Sequence, residues 1–244
     1  MSRRWIAVTV AGLALAFALP ACGSGGSSAS PASTAKAAQL NPANFVREVD
    51  NPWYPLKPGT SYRYRGVKDG KPAIDVFSVT GRKKMIQGVP ATVNRDRLYL
   101  DGKLAEDTLD WYAQDKQGNV WYVGEATREL DRKGRVKNTE GSWQAGVDGA
   151  EAGIFMPANP KVGHSFRQEY YKGQAEDHFK VLALDASVKV PYVASRHALK
   201  TMEWTPLEPG VIDTKYYVRG IGNVYEKTVK GGNERSELVS VRRR

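Results

Sequence analysis

Leu109-Asp-Trp-Tyr-Ala-Gln-Asp115 and Val120-Trp-Tyr-Val-Gly-Glu125, joined by Lys116-Gln-Gly-Asn119, decide the fold class. Side chains alternate across an extended strand, so Leu109, Trp111 and Ala113 share one face while Asp110, Tyr112 and Gln114 share the other. The residues between the two runs carry turn chemistry, and the aromatics on either side can pair across a hairpin, each pair contributing about 0.2–1 kcal/mol. No helical period fits the same residues.

The pattern repeats outward in both directions. Ser61-Tyr-Arg-Tyr-Arg65 alternates aromatic and basic residues, Asp69-Gly70 supplies a tight turn, and Ile74 to Thr80 returns. Ala91 to Leu100 turns at Asp101-Gly102 into Lys103 to Asp107. Later strands are expected at 165–171, 175–184, 187–192, 199–205, 214–219, 223–229 and 235–241. Residues 141–163 are rich in Gly, Ala and Pro and read as a long loop. Ala43 to Asp50 reads as a helical turn or two, stopped at Pro52. About eleven to thirteen strands and little helix imply an all-β, antiparallel meander, closing into a strongly curved sheet or a barrel.

The two ends of the chain differ from this body. Met1-Ser-Arg-Arg4 is basic, Trp5 to Leu19 is apolar and uncharged, and small residues precede Cys22. This is the layout of a secretory signal peptide over 1–21, too short for the roughly 20 residues of a standard spanning helix. Residues 22–40 are mostly Gly, Ser, Ala, Pro and Thr, a composition that reads as a flexible tether. Residues 41–244 then form a single β-rich domain.

Leu19-Pro-Ala-Cys22 resembles the lipobox of bacterial lipoproteins, with Leu, Ala and Cys in place and Pro20 as a departure. The resemblance implies lipid attachment at Cys22, acyl chains of the palmitate type, and an exported body tethered to the cell membrane. Cys22 is the only cysteine, so no intramolecular disulfide competes for it. Two stretches, 110–122 and Tyr216-Tyr-Val-Arg-Gly-Ile-Gly-Asn-Val-Tyr-Glu226, resemble segments of uncharacterised secreted bacterial lipoproteins with β-rich bodies. That architecture is similar to the lipoprotein-carrier half-barrels that shelter acyl chains, and the likeness brings no catalytic residue with it.

The formal net charge of +10 falls to +8 when Arg3 and Arg4 leave with the signal peptide. Phospholipid headgroups or cell-wall polyanions attract such a body. Export argues against nucleic acid as a partner. Lipid, glycan or another envelope component is expected instead.

His164, His178 and His197 are too dispersed for a local metal motif, and no metal or cofactor is expected. A glycan hydrolase is the enzymatic alternative, with Glu106, Asp107, Asp110 and Glu125 as the carboxylates, since two such groups held about 5–10 Å apart can cleave a glycosidic bond. Their plainer reading is as acids on a strand's wet face. Glu176 and Asp177 form a further acidic pair. Trp53, Tyr54, Trp111, Trp121 and Trp143 are expected either to pack the core or to line a ligand site. In the second case Trp53-Tyr54 and residues 141–160 would form its mouth. The leading expectation is a membrane-anchored lipoprotein that binds an amphiphilic or envelope-derived ligand without catalysis. A structural or partner-binding envelope protein is the other non-enzymatic reading.

Overall fold

The computed structural model describes residues 39–243, so the expected signal peptide, Cys22 and nearly all of the expected tether lie outside the described residues. After a 3-10 turn at Pro42–Asn44 come β1 (Phe45–Val46), β2 (Thr60–Lys68), β3 (Lys71–Ile86) and β4 (Val89–Leu100). Next are β5 (Lys103–Asp115), β6 (Val120–Leu130), β7 (Val136–Asn138), β8 (Trp143–Gln144) and β9 (Glu151–Met156). The chain continues through β10 (Ser165–Arg167), β11 (Glu169–Tyr170), β12 (His178–Lys189) and β13 (Ala194–Trp204). It ends with β14 (Ile212–Val218), β15 (Gly222–Lys230) and β16 (Arg235–Arg243). All pairings are antiparallel, and the all-β meander expected from the sequence is the fold observed.

The sheet nearly closes into a barrel. Its strand order starts at β10 and ends at β11, and those two are separated in the chain by Gln168 alone. At this seam Arg167 reaches Glu151 at 2.5 Å, and β11 pairs with β9 through Glu169↔Ala152. β16 pairs with β2, which ties the last strand to the first long one.

Asp69-Gly70, Gln87-Gly88 and Asp101-Gly102 all have positive φ at both positions, the geometry of two-residue turns that follow the twist of a hairpin. The middle turn, absent from the sequence reading, joins β3 to β4.

Several boundaries are corrected. The expected loop over residues 141–163 contains β8 and β9, which pair with β6. The two strands expected at 175–184 and 187–192 are the single strand β12, interrupted by bulges whose extra residues break the period. The helical turn expected over residues 43–50 shrinks to the 3-10 turn and β1.

Alternation places the two faces of β5 correctly, but the face carrying Asp110, Tyr112 and Gln114 looks into the barrel, not into water. Tyr112 and Tyr122 stack at 4.7 Å, Phe155 lies 4.8 Å from Tyr112, and Trp143 meets Tyr122 edge-on at 5.4 Å. The outward face is covered too. Lys84 sits 3.2 Å over the Trp111 ring, and Phe45 packs on Trp121 at 6.0 Å.

Residues 47–59 form a strap across one end. Asn51 donates to the carbonyls of Gly118 and Pro157 on one side, and Pro52 accepts from the Gly220 amide on the other. This end carries the β3–β4, β5–β6, β12–β13 and β14–β15 turns together with the last residues of β16, because successive strands of an antiparallel ring alternate in direction.

Candidate functional site

The barrel interior is the natural place for a site, and its own side chains fill most of it. Beneath the strap lies a cavity of about 40 Å³ whose walls include Tyr54, Tyr62, Phe77, Phe155, Tyr217 and Leu56. A water needs roughly 10–15 Å³ of such space, whereas ligand pockets are usually about 300–1,000 Å³. The space suits a few waters. It is far too small for an acyl chain.

Charged groups line the same cavity. Lys215 Nζ lies 2.6 Å from Glu203 Oε2 and 3.9 Å from Glu226 Oε2. Burial alone would depress the Lys215 ammonium, but Glu203 and Glu226 hold it protonated and above its ordinary range. Burial pushes the Glu226 carboxyl well up, with Lys215 only partly opposing it. The arrangement is one ion pair, Lys215 with Glu203, beside an acid that favours its proton. Asp75 is raised to about 6 by burial, partly offset by a hydrogen bond with Asp96. Tyr64 donates to the Asn223 carbonyl at the cavity wall.

The four candidate acids divide between the two faces of the sheet. Asp110 and Glu125 are cross-strand partners, and the Tyr122 hydroxyl lies 2.7 Å from Asp110 Oδ1 and 2.9 Å from Glu125 Oε2. Burial holds the Tyr122 phenol well above its ordinary range, and both acids add to this. A phenol has one proton, so the Tyr122 hydroxyl can donate to only one of the two carboxyls at a time. Each acid is 1% exposed. Glu106 faces the same interior and accepts from Thr108 at 3.1 Å. Asp107 faces outward and is gripped by Arg95 at 2.7 Å and Arg128 at 2.7 Å. Glu176 accepts from the Gly173 amide in an exposed turn.

The aromatic candidates are also separated. Tyr54 and Trp143 enter the interior aromatic cluster, while Trp53 lies in the strap under the Arg219 guanidinium at 4.9 Å. Trp111 and Trp121 belong to the covered outer face. Only Tyr54 of the five borders the cavity. His178 stacks on Trp204 at 5.4 Å, and His164 meets Phe166. Among the described residues no three His, Cys, Asp or Glu side chains are grouped to hold a metal.

Sequence reasoning missed Asp75, Lys215, Glu203 and Glu226. Period two could have found two of them, since Asp75 precedes the inward Phe77 by two residues and Lys215 precedes the inward Tyr217 by two. A larger, open groove of about 570 Å³ lies at the end opposite the strap, where Leu100, Leu104 and Leu130 meet a rim of Asp69, Lys71 and Lys103.

No protein family matches the chain, and no curated protein does. Among solved structures, a candidate exported protein with a YmcC-like fold from Bacteroides fragilis is 15% identical, with a TM-score of 0.45. The likeness covers 82% of this chain and 100% of that one. A candidate lipoprotein from Parabacteroides distasonis is 9% identical with a TM-score of 0.36, over 82% of this chain and 99% of that one. Likeness at this level assigns no function.

Proposed function

We propose that the chain is an exported protein anchored to a membrane through Cys22, which acts without catalysis and through its outer surface. The observation that carries this reading is the filled interior. A cluster of aromatic side chains and a buried ion-pair network occupy the space in which a carrier would hold its cargo, leaving about 40 Å³. Asp110 and Glu125, the carboxylates that stand together, are sealed behind Tyr122 and Trp143. The 570 Å³ groove at the far end, with its leucine floor and charged rim, is the surface best formed for an envelope partner.

The test is chemical extraction of protein purified from its own envelope. The expected result is the covalent acyl group on Cys22 and no non-covalent amphiphile. A stoichiometric lipid released from the folded body would reverse the reading in favour of a carrier.

A ligand-binding reading has one observation in its favour, the aromatic lining of the cavity beneath the strap. It requires Trp53 to Leu56 to lift away and expose Tyr54, Tyr62, Phe77 and Phe155.

A further inference from the structure

The basic charge of this chain is not spread evenly over the barrel. Lys57, Lys116, Lys161, Arg219, Arg242 and Arg243 all stand exposed at the strap end, in its turns or at the first and last residues of the strands that finish there. Among the described residues none of the six is in an ion pair. Three of the acids at this end are already engaged, while Asp148, in the turn that brings Gly146 against Gln87, stands exposed. Glu48 lies between Arg47 at 3.7 Å and Lys83 at 3.6 Å, Asp50 accepts from Gln114 at 2.6 Å, and Asp115 is buried and accepts from its own turn.

The opposite end is of mixed sign. Its turns carry Asp69, Asp101, Asp131 and Glu208, and its cations are partly neutralised, Arg135 by Asp131 at 2.8 Å and Lys137 by Glu129 at 3.7 Å. The barrel is therefore polarised along its axis, positive at the strap.

The chain also enters at the positive end. Leu40 donates to the Gln87 side chain in the β3–β4 turn, and Asn44 accepts from the Lys116 amide in the β5–β6 turn. Between Cys22 and Gln39 the chain can reach at most about 60 Å when fully extended. An anchor on Cys22 thus joins the barrel at this end, and a tether of that reach leaves the barrel's tilt to be set by charge.

We propose that the strap end is a docking face for an anionic phospholipid surface, so that the barrel stands on the membrane on its basic end with the far groove directed away. The proposal rests on the anchoring reading for the direction of approach, while the charge asymmetry stands independently of it. A cation brought within a Debye length of an anionic bilayer strengthens binding about fivefold, and several act together. The anchor supplies residence and the basic end supplies orientation.

The full-length chain is mixed with vesicles of phosphatidylcholine alone or with added phosphatidylglycerol, and the bound protein is treated with an amine-reactive label. Lys57, Lys116 and Lys161 are expected to be protected at least about fivefold relative to Lys71, Lys103 and Lys133 on the anionic vesicles. Protection should vanish on neutral vesicles and at about 1 M salt, where the Debye length falls to about 3 Å. Combined Lys57→Glu, Lys116→Glu and Lys161→Glu should weaken attachment to anionic vesicles, and the same change at Lys71, Lys103 and Lys133 should not. Equal labelling of both ends, protection of the far end, or no attachment to anionic vesicles each overturns the proposal. Sedimentation with neutral vesicles reports the anchor alone. Loss there with retention on anionic vesicles would reject the Cys22 reading and support the docking face.

Discussion

Lys215 Nζ lies 2.6 Å from Glu203 Oε2 inside the barrel, with the two side chains 6% and 10% exposed. Removing one partner of such a pair leaves an uncompensated buried charge, which costs about 3–5 kcal/mol. Lys215→Met should lower the urea midpoint accordingly, with little change in slope. Adding Glu203→Gln should recover part of the loss, because the stranded carboxylate is then gone. A Lys215→Met protein as stable as the parent would show that the interior is open to water.

Asp75 gives the barrel a pH dependence of defined sign. Its carboxyl is raised from 3.8 to about 6 by burial, so between those values the folded chain holds a proton that the unfolded chain has released. Its contribution to stability is complete below about pH 4 and lost as pH rises through 6, on the order of 3 kcal/mol. Asp75→Asn should therefore gain on the parent across that interval and run parallel to it above. Parallel curves throughout would refute the shift.

The inward and outward acids should respond differently. Tyr122→Phe removes the hydroxyl shared by Asp110 and Glu125, in a place that water does not reach. A cost of about 1–3 kcal/mol is expected from denaturant unfolding. Asp107 is held below the ordinary carboxylate range by Arg95 and Arg128 in spite of its own desolvation, but those guanidiniums are about half exposed. Asp107→Asn should cost about 1 kcal/mol or less, diminishing with salt.

The seam depends on Gly153. A Cβ there would lie 2.2 Å from the Arg167 carbonyl oxygen and 2.5 Å from the Gln168 carbonyl carbon, both backbone atoms. Gly153→Ala should cost about 1–3 kcal/mol by overpacking and open the seam first. Faster amide exchange in β9 and β11 than in β2 and β3 would report this. Uniform acceleration would place the weak point elsewhere.

Much of the fold was legible because its turns and strands are locally determined. Asp69-Gly70 and Asp101-Gly102 announce hairpins, and Tyr62, Phe77 and Tyr112 fall on the expected alternation. What failed was tertiary. Nothing local marks the face of Asp110 and Gln114 as the inside of a barrel, because a closed sheet can bury polar side chains against one another. The bulges of β12 erased its period, and β8 and β9 were hidden in a Gly-rich run because they add to β6 rather than pair with each other. Trp53 and Tyr54 were singled out as aromatics in a loop, but the sequence does not reveal that this loop straps an end.

The central claim is that the interior is permanently filled and closed, and amide exchange of the strap tests it most directly. The Trp53, Tyr54 and Leu56 amides donate to Asn51 Oδ1, to the Asn51 carbonyl and to the Val49 carbonyl. If the claim holds, they exchange only as fast as global unfolding allows, with or without amphiphile micelles. Exchange through a smaller opening, or acceleration when amphiphile is added, would contradict it.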